Sequence, residues 1–279
     1  MPKVGIVGTG RMGSKYISKF DILGYDAFLV DKEKSQLEQF PDKFRKYTDL
    51  DEALETEKSA DAIFVVTSPT SHIPIAQKII HHGINVMVEK PPALDVYDLE
   101  ETIKLAQKSD VVFGVSEIEL KSSAVRNLNL SDFNVRSIKA YRLNLGKGYI
   151  NPFLDLAWHD LYIFYHFFNK FEILDVVDKK EEKTHFVEVY AKSKKEEIPL
   201  DLEVAWENSY LRREWIFDTD KGELVLNFVD DEIIYPDGKK VEKDGLDKLE
   251  LMIKEFVEKP SNESALRALN ILQEFIKFY

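Results

Sequence analysis

Three groups of residues have the types and the spacing for chemistry. Asp155 and His159 stand four apart in an apolar stretch that reads as a helix over about residues 151–170. Four residues turn a helix by about 400°, so both side chains share one face, one turn apart. A carboxylate in that place orients an imidazole and raises its proton affinity, which suits a general acid/base. The plainer alternative is a structural histidine among Phe153, Trp158, Tyr162 and Phe164. Glu89-Lys90-Pro91-Pro92 follows the short apolar run Asn85–Val88. Ligands of open parallel sheets bind beyond the carboxyl ends of the strands, and prolines hold the backbone beside this lysine. Gly8-Thr9-Gly10-Arg11-Met12-Gly13 fits G-x-G-x-x-G between a strand-like run and a helix-like run. There the first glycine permits a tight turn. The second lets the backbone approach a pyrophosphate, and the third allows close packing of helix on strand. The helix start offers free N–H groups to the phosphates. Asp31 lies 18 residues after Gly13, close to the distance at which an acid takes the ribose hydroxyls. A carboxylate there repels a 2′-phosphate, so NAD(H) is favoured over NADP(H), with Lys32 keeping the second option open.

These residues need elements to place them. Val4–Val7, Ala27–Val30, Ala62–Val66, Asn85–Val88 and Val111–Val115 are short, apolar and rich in Val and Ile, as in strands buried on both faces. Helical patterns fall between them, at Met12–Leu23, Lys32–Phe40, Leu50–Thr56, Ile73–His82 and Val96–Ser109. The alternation predicts a doubly wound parallel sheet. Beyond residue 120, strand-like runs follow one another closely, at Ile138–Leu145, Phe186–Ala191, Ile198–Trp206, Leu211–Phe217, Glu223–Val229 and Glu232–Tyr235. Two helical patterns close the chain, at Leu246–Glu258 and Glu263–Phe278. The expected fold is α/β: an N-terminal Rossmann domain over 1–119 and a C-terminal α+β domain over 120–279 on an open, mostly antiparallel sheet. The closing helix is expected to pack back on the first domain.

Composition narrows the function classes. Among 279 residues, 38 Lys+Arg against 50 Asp+Glu leave a formal net charge of −12. Such a chain is a poor ligand for nucleic acid or an anionic membrane. The absence of cysteine excludes disulfides, thiolate metal sites and cysteine nucleophiles. No metal-ligand spacing occurs, His81-His82 reading as a solvated helix end, so no metal is expected. No basic-then-apolar leader and no apolar run near the roughly 20 residues of a bilayer span is visible, so the expectation is a soluble cytoplasmic protein. The acidic surface gives an anionic cofactor no long-range steering. Its binding falls to the helix start after Gly10, to Arg11 and to Lys90.

The order of these motifs resembles the glucose–fructose oxidoreductase / inositol dehydrogenase / MocA family. It is carried by GTGRMG at 8–13, Asp61-Ala62, TSPTSH at 67–72, EKPPALD at 89–95 and LDLAWHD at 154–160. The resemblance implies an NAD(P)-dependent dehydrogenase acting on CH-OH groups. Its substrate would be a sugar, inositol or nucleotide sugar, and the C-terminal sheet would form a homodimer or homotetramer face. The family's catalytic residues fall on Lys90, Asp155 and His159. Its cofactor positions fall on the loop Gly8, Thr9, Gly10, Arg11, Met12 and Gly13, and on Asp31, Lys32, Thr67, Ser68, Pro69, Thr70, His72, Glu89 and Lys90. The substrate side takes Lys90, Glu119, Tyr149, Asn151 and His159. Two other readings stay open: a dinucleotide-binding regulator without turnover, and a reductase of a non-sugar substrate.

Within the family, DLAWHD and Ile118-Glu119 ahead of Ala124-Val125 resemble the UDP-N-acetylglucosamine 3-dehydrogenase branch. There are departures. Leu120 and Lys121 stand where that branch has an Arg and an aromatic residue. Tyr149, Ile150 and Asn151 replace glycines ahead of the helix, and Tyr162 replaces an Asp three residues after His159. All of these touch the substrate side.

Overall fold

The computed structural model describes every residue except Tyr149, Glu182 and Tyr279. The chain forms two compact units, Met1–Ser116 with Leu249–Leu269, and Glu117–Lys248 with Asn270–Tyr279. The cut after Ser116 falls three residues before the boundary expected from sequence. The segment Leu249–Leu269 belongs to the first unit. Among the described residues no helix is long and apolar enough to cross a membrane.

The first unit alternates strand and helix: β1 Lys3–Val7, α1 Arg11–Ile22, β2 Asp26–Val30, α2 Lys34–Leu37, β3 Arg45–Tyr47, α3 Leu50–Thr56, β4 Ala62–Val65, α4 Pro69–His81, β5 Asn85–Val88, α5 Val96–Lys108 and β6 Phe113–Val115. The sheet is parallel, in the order β3-β2-β1-β4-β5-β6. Strands covered on both faces must be apolar throughout; all four residues of β4 are buried, as are four of five in β1 and β2. Two features differ from the sequence pattern. β3 is Arg-Lys-Tyr at the sheet edge, with each residue half-buried, so it shows no apolar run. α2 has four residues, because only Leu37 among them is buried and little apolar surface holds a longer helix. α8, Lys248–Glu258, brings Phe256 against Phe64, ring centroids 5.8 Å apart. The start of α9, Glu263–Phe275, lies in the same unit, where Ser264 Oγ accepts from the Val115 N–H.

The second unit is built on β7 Val135–Leu143, β8 Phe171–Glu181, β9 Thr184–Ser193, β10 Pro199–Trp206, β11 Arg212–Thr219, β12 Gly222–Asn227, β13 Glu232–Ile234 and β14 Lys240–Val241. Their order is β14-β13-β12-β11-β7-β10-β9-β8, and only the β7–β10 pair is parallel. The eleven-residue β8 has no counterpart among the strand-like runs of the sequence. Only Phe171 and Ile173 are buried in it, and a strand that is charged over most of its length leaves no pattern to read. Alternation along β7 sends Ile138, Ala140 and Arg142 to the buried face and Lys139 to the other.

On the buried face lies the aromatic helix. Its first turn is π-helical, Phe153–Ala157, and it continues as α7, Trp158–Phe168. Asn169, at φ 58°, ends it. Phe164 and Phe167 of α7 meet Trp215 and Phe217 of β11 at centroid distances of 6.4 and 6.2 Å. Asp160, with 0% exposure, points into this layer and accepts from Arg142 Nε at 2.6 Å and Nη2 at 3.2 Å, and from Trp215 Nε1 at 2.8 Å. It therefore pins α7 to β7 and β11 at a single carboxylate. Removing one partner of a buried ion pair leaves the other charge uncompensated. Asp160→Ala should destabilise the protein by about 3–5 kcal/mol, read as a lowered urea midpoint; an unshifted midpoint would show that the pair does not fasten the helix.

Candidate functional site

In the first unit, the turn after β1 is held by its glycines for three separable reasons. Gly8 has φ +95°, and a Cβ there would lie 2.6 Å from the Val66 carbonyl oxygen. A Cβ on Gly13 would lie 2.1 Å from the Gly8 carbonyl oxygen, so helix and turn approach too closely for any side chain. A Cβ on Gly10 would meet no atom within 4 Å. The protein's own packing thus does not demand glycine at position 10. Gly10 is also the N-cap of α1 and makes no side-chain cap, and the first N–H groups of a helix have no partner within the helix itself.

Asp31 follows β2 and faces this turn. Its Oδ2 accepts from the Thr9 N–H at 2.8 Å and the Thr9 hydroxyl at 2.9 Å, and its Oδ1 accepts from the Glu33 N–H at 3.0 Å. A carboxylate offers about four acceptor positions, so a ribose hydroxyl can still be accommodated. Arg11 and Lys32 are exposed and Met12 is half-buried. This constellation fits a dinucleotide: a bare helix start, a turn open at its second glycine, and an acid at the end of the next strand.

The Thr67–Thr70 segment leads into α4, where Pro69 is the first helical residue and the Ser68 and Thr70 hydroxyls stand 3.3 Å apart. His72 is 1% exposed. Its Nδ1 lies 3.0 Å from the Pro91 carbonyl oxygen and its Nε2 3.1 Å from the Thr67 carbonyl oxygen. Both ring nitrogens face main-chain carbonyls, so the neutral ring donates to one of them and only the imidazolium to both. Burial pushes its pKa below the usual histidine value, against the upward pull of the two carbonyls and Glu89. The Lys90-Pro91 bond is cis. Glu89 accepts from the Tyr16 hydroxyl at 2.5 Å and from the Lys90 N–H at 3.2 Å. Tyr16 thus joins α1 to the segment after β5, a partnership that no local pattern in the sequence marks.

In the second unit, Asn151 Oδ1 accepts from the Phe153 N–H at 2.8 Å and its Nδ2 donates to Asp178 at 2.8 Å. Its side chain fastens the start of the π-helical turn. Tyr149 lies outside the described residues. Asp155 sits in that turn and His159 in the first turn of α7. His159 Nδ1 lies 2.9 Å from the Tyr162 hydroxyl, and the same hydroxyl accepts from the Glu119 N–H at 2.9 Å. Burial, reinforced by Glu119, drives the Tyr162 pKa well above that of an ordinary phenol.

Glu119 was expected at the substrate. It is 7% exposed, and its carboxylate is engaged by Lys248 at 2.9 Å and Arg142 at 3.6 Å. Burial alone would raise its pKa, but Arg142 and Lys248 outweigh it and hold the group below the usual carboxylate range. The signals for the missed residues were present. Tyr162 follows His159 at i+3, on the same helix face. Arg142 occupies an apolar phase of β7, where a charge needs a partner.

The strand order of the first sheet, with a glycine turn after β1 and an acid after β2, defines a dinucleotide-binding Rossmann protein. Residues 2–117 match the model of GFO_IDH_MocA, the oxidoreductase family with an NAD-binding Rossmann fold. The chain is 25% identical over 165 residues to a UDP-N-acetylglucosamine 3-dehydrogenase from Acidithiobacillus ferrooxidans, covering 57% of this chain and 52% of that protein. It is 28% identical over 110 residues to a myo-inositol dehydrogenase from Streptomyces leeuwenhoekii, covering 39% of this chain and 34% of that one. The matched stretches thus span about half or less of these curated relatives. A solved structure of the Acidithiobacillus ferrooxidans enzyme superposes with a TM-score of 0.85 at 19% identity, over 99% of this chain and 96% of that one, which establishes likeness of fold.

The two glycines that differ in surroundings make a test. Gly13→Ala should destabilise the first unit, since its Cβ meets backbone at 2.1 Å. Gly10→Ala should leave the urea midpoint unchanged or slightly raised yet weaken NAD binding by about tenfold, ~1.4 kcal/mol, measured by calorimetry. Undiminished affinity in Gly10→Ala would remove the turn from the cofactor site.

Proposed function

We propose that this protein is an NAD-dependent dehydrogenase acting on a secondary alcohol of a sugar, inositol or nucleotide sugar. The observation that carries the reading is the turn Gly8–Gly13 with its open second glycine and with Asp31 beside it. It is supported by the family match over residues 2–117 and by relatives named as sugar-nucleotide and inositol dehydrogenases. Asp31 favours NAD over NADP, since its negative charge opposes a 2′-phosphate.

When bound, a nicotinamide cofactor supplies or accepts the hydride. The chain's own residues manage the oxygen and its proton. His159 exchanges the proton with the reacting oxygen. Asp155, one turn earlier, stabilises the charged imidazole. Lys90 answers the negative charge that develops on that oxygen. Glu119 and Asn151 serve the substrate side, and each also fastens a neighbouring part, the Tyr162 hydroxyl through the Glu119 N–H and the helix start through Asn151. The outer face of the second sheet, with Tyr141, Tyr190 and Glu203 on it, is the surface through which we expect two copies to pair in the cytoplasm.

The experiment is an incubation with NAD and a panel of sugars, inositols and nucleotide sugars, followed by absorbance of the reduced cofactor. A substrate should emerge, and on it His159→Ala should lower turnover by about 10²–10⁴-fold with NAD affinity unchanged. Tight NAD binding with silence across the panel would favour a regulator without turnover, and full turnover by His159→Ala would sink the role assigned to it. Asp31→Ser should weaken NAD binding and narrow the preference over NADP; an unaltered preference would take Asp31 out of the site.

A further inference from the structure

In the second unit, Arg126, Arg136, Arg142 and Arg212 each have a carboxylate within 3.8 Å, on Asp244, Asp218, Asp160 and Glu214. Arg213 is the exception. Among the described residues its guanidinium bonds to one group, the Asn144 amide oxygen, which accepts from Nε at 2.8 Å and from Nη2 at 2.5 Å. Asn144 is 4% exposed, and its main chain is locked on both sides, its N–H donating to the Ala205 carbonyl and its carbonyl accepting from the Asn208 N–H, each at 2.9 Å. The guanidinium is thus fixed along one edge. That edge uses Nε and Nη2, so the end formed by Nη1 and Nη2 keeps its donors for another acceptor. Charge points the same way. Arg213 is half-buried and stands opposite Arg142 across β11 and β7. Burial, and then Arg142, push its pKa below the usual arginine value, against the pull of Glu119 and Asp160. Those two carboxylates are already taken, Asp160 by Arg142 and Trp215, Glu119 by Lys248 and Arg142. A cation partly withdrawn from water beside another cation is costly until a negative group answers it.

We propose that Arg213 binds an anionic group of the substrate, a carboxylate or a phosphate, through its open Nη1/Nη2 end. The substrate is then a sugar acid, sugar phosphate or nucleotide sugar, not a neutral sugar or inositol. A planar fork matches two oxygens of such a group at once, and the Asn144 oxygen holds the fork in place beforehand. This inference rests on the reading of the protein as a dehydrogenase with His159 at the reacting alcohol. The two residues share a face of the second sheet. Alternation along β11 puts Arg213 in phase with Trp215 and Phe217, which pack against α7, the helix that carries His159. Glu119 stands between them. Its carboxylate bears on Arg213, and its N–H donates to the Tyr162 hydroxyl, 2.9 Å from His159 Nδ1.

The test is calorimetry on the full-length protein with NAD in excess, so that the glycine turn is filled. Glucuronate, glucose phosphate and UDP-glucose are the anionic probes, and glucose and myo-inositol the neutral ones. At least one anionic probe should bind more tightly than both neutral ones, and which one answers separates carboxylate from phosphate. Arg213→Gln should weaken that probe by about 10–100-fold and leave NAD unmoved. Its urea midpoint should hold or rise, since the repulsion by Arg142 is relieved; a purely structural arginine would lower it. Arg213→Lys, which keeps the charge without the fork, should recover part of the affinity. Asn144→Asp leaves Arg213 intact but gives it a carboxylate partner, and it should weaken the same probe. On a substrate found by turnover, Arg213→Gln should raise the KM for that substrate and not the KM for NAD. Tighter binding of the neutral probes would overturn the proposal, as would anionic binding that is absent from the parent or unchanged in both Arg213→Gln and Asn144→Asp. The calorimetry needs no turnover. Anion binding that depends on Arg213, with silence across the substrate panel, would keep this inference and remove the dehydrogenase reading. Turnover on a neutral sugar, with no such anion binding, would do the reverse.

Discussion

A guanidinium sealed from water must have its charge answered where it lies, and the second unit is organised around that demand. Arg142 is 3% exposed. It takes both oxygens of Asp160, approaches Glu119 at 3.6 Å and lies 5.7 Å from the Phe228 ring centroid. The carboxylates in turn hold its pKa above the ordinary arginine value against the opposing effect of burial. A hydrophobic core tolerates small slides of a helix. A bidentate pair with Trp215 on the same carboxylate does not, because each partner has one geometry that satisfies it. The placement of His159, one residue from Asp160 on α7, inherits that precision.

The first unit reaches its own precision by steric means. Its turn is fixed where backbone meets backbone, at Gly8 and Gly13, and left open where a ligand would approach, at Gly10. Around it, buried polar groups join loops that are far apart in sequence. Asp31 reaches Thr9, His72 spans Thr67 and Pro91, and Glu89 takes the Tyr16 hydroxyl. Each loop beyond the strand ends is thus tied to a neighbour. The result is a rim of main-chain donors and fixed side chains in a protein whose net charge is −12.

Much of this was legible from the chain. The continuous apolar runs of β1, β2, β4 and β5 could be read as strands because both their faces are covered. The glycine loop could be read because its spacing follows from the geometry of a turn meeting a helix. β3 and β8 could not, since an edge strand of Arg-Lys-Tyr and a strand rich in Asp, Lys and Glu carry no hydrophobic period. Their pairing is imposed by neighbours, β2 in one sheet and β9 in the other.

By itself the sequence determined the class of protein: the parallel sheet, the phosphate turn, the acid after β2, and the residue types available for proton transfer. These are local properties, set by spacing along one or two elements. Tertiary structure decided the partners. It gave Glu119 to Lys248 and Arg142, Asn151 to Asp178, His72 to two carbonyls, and His159 to Tyr162. The reason is physical: a buried polar group takes whichever complementary group the fold brings within about 3 Å, and which group that is depends on how distant segments pack.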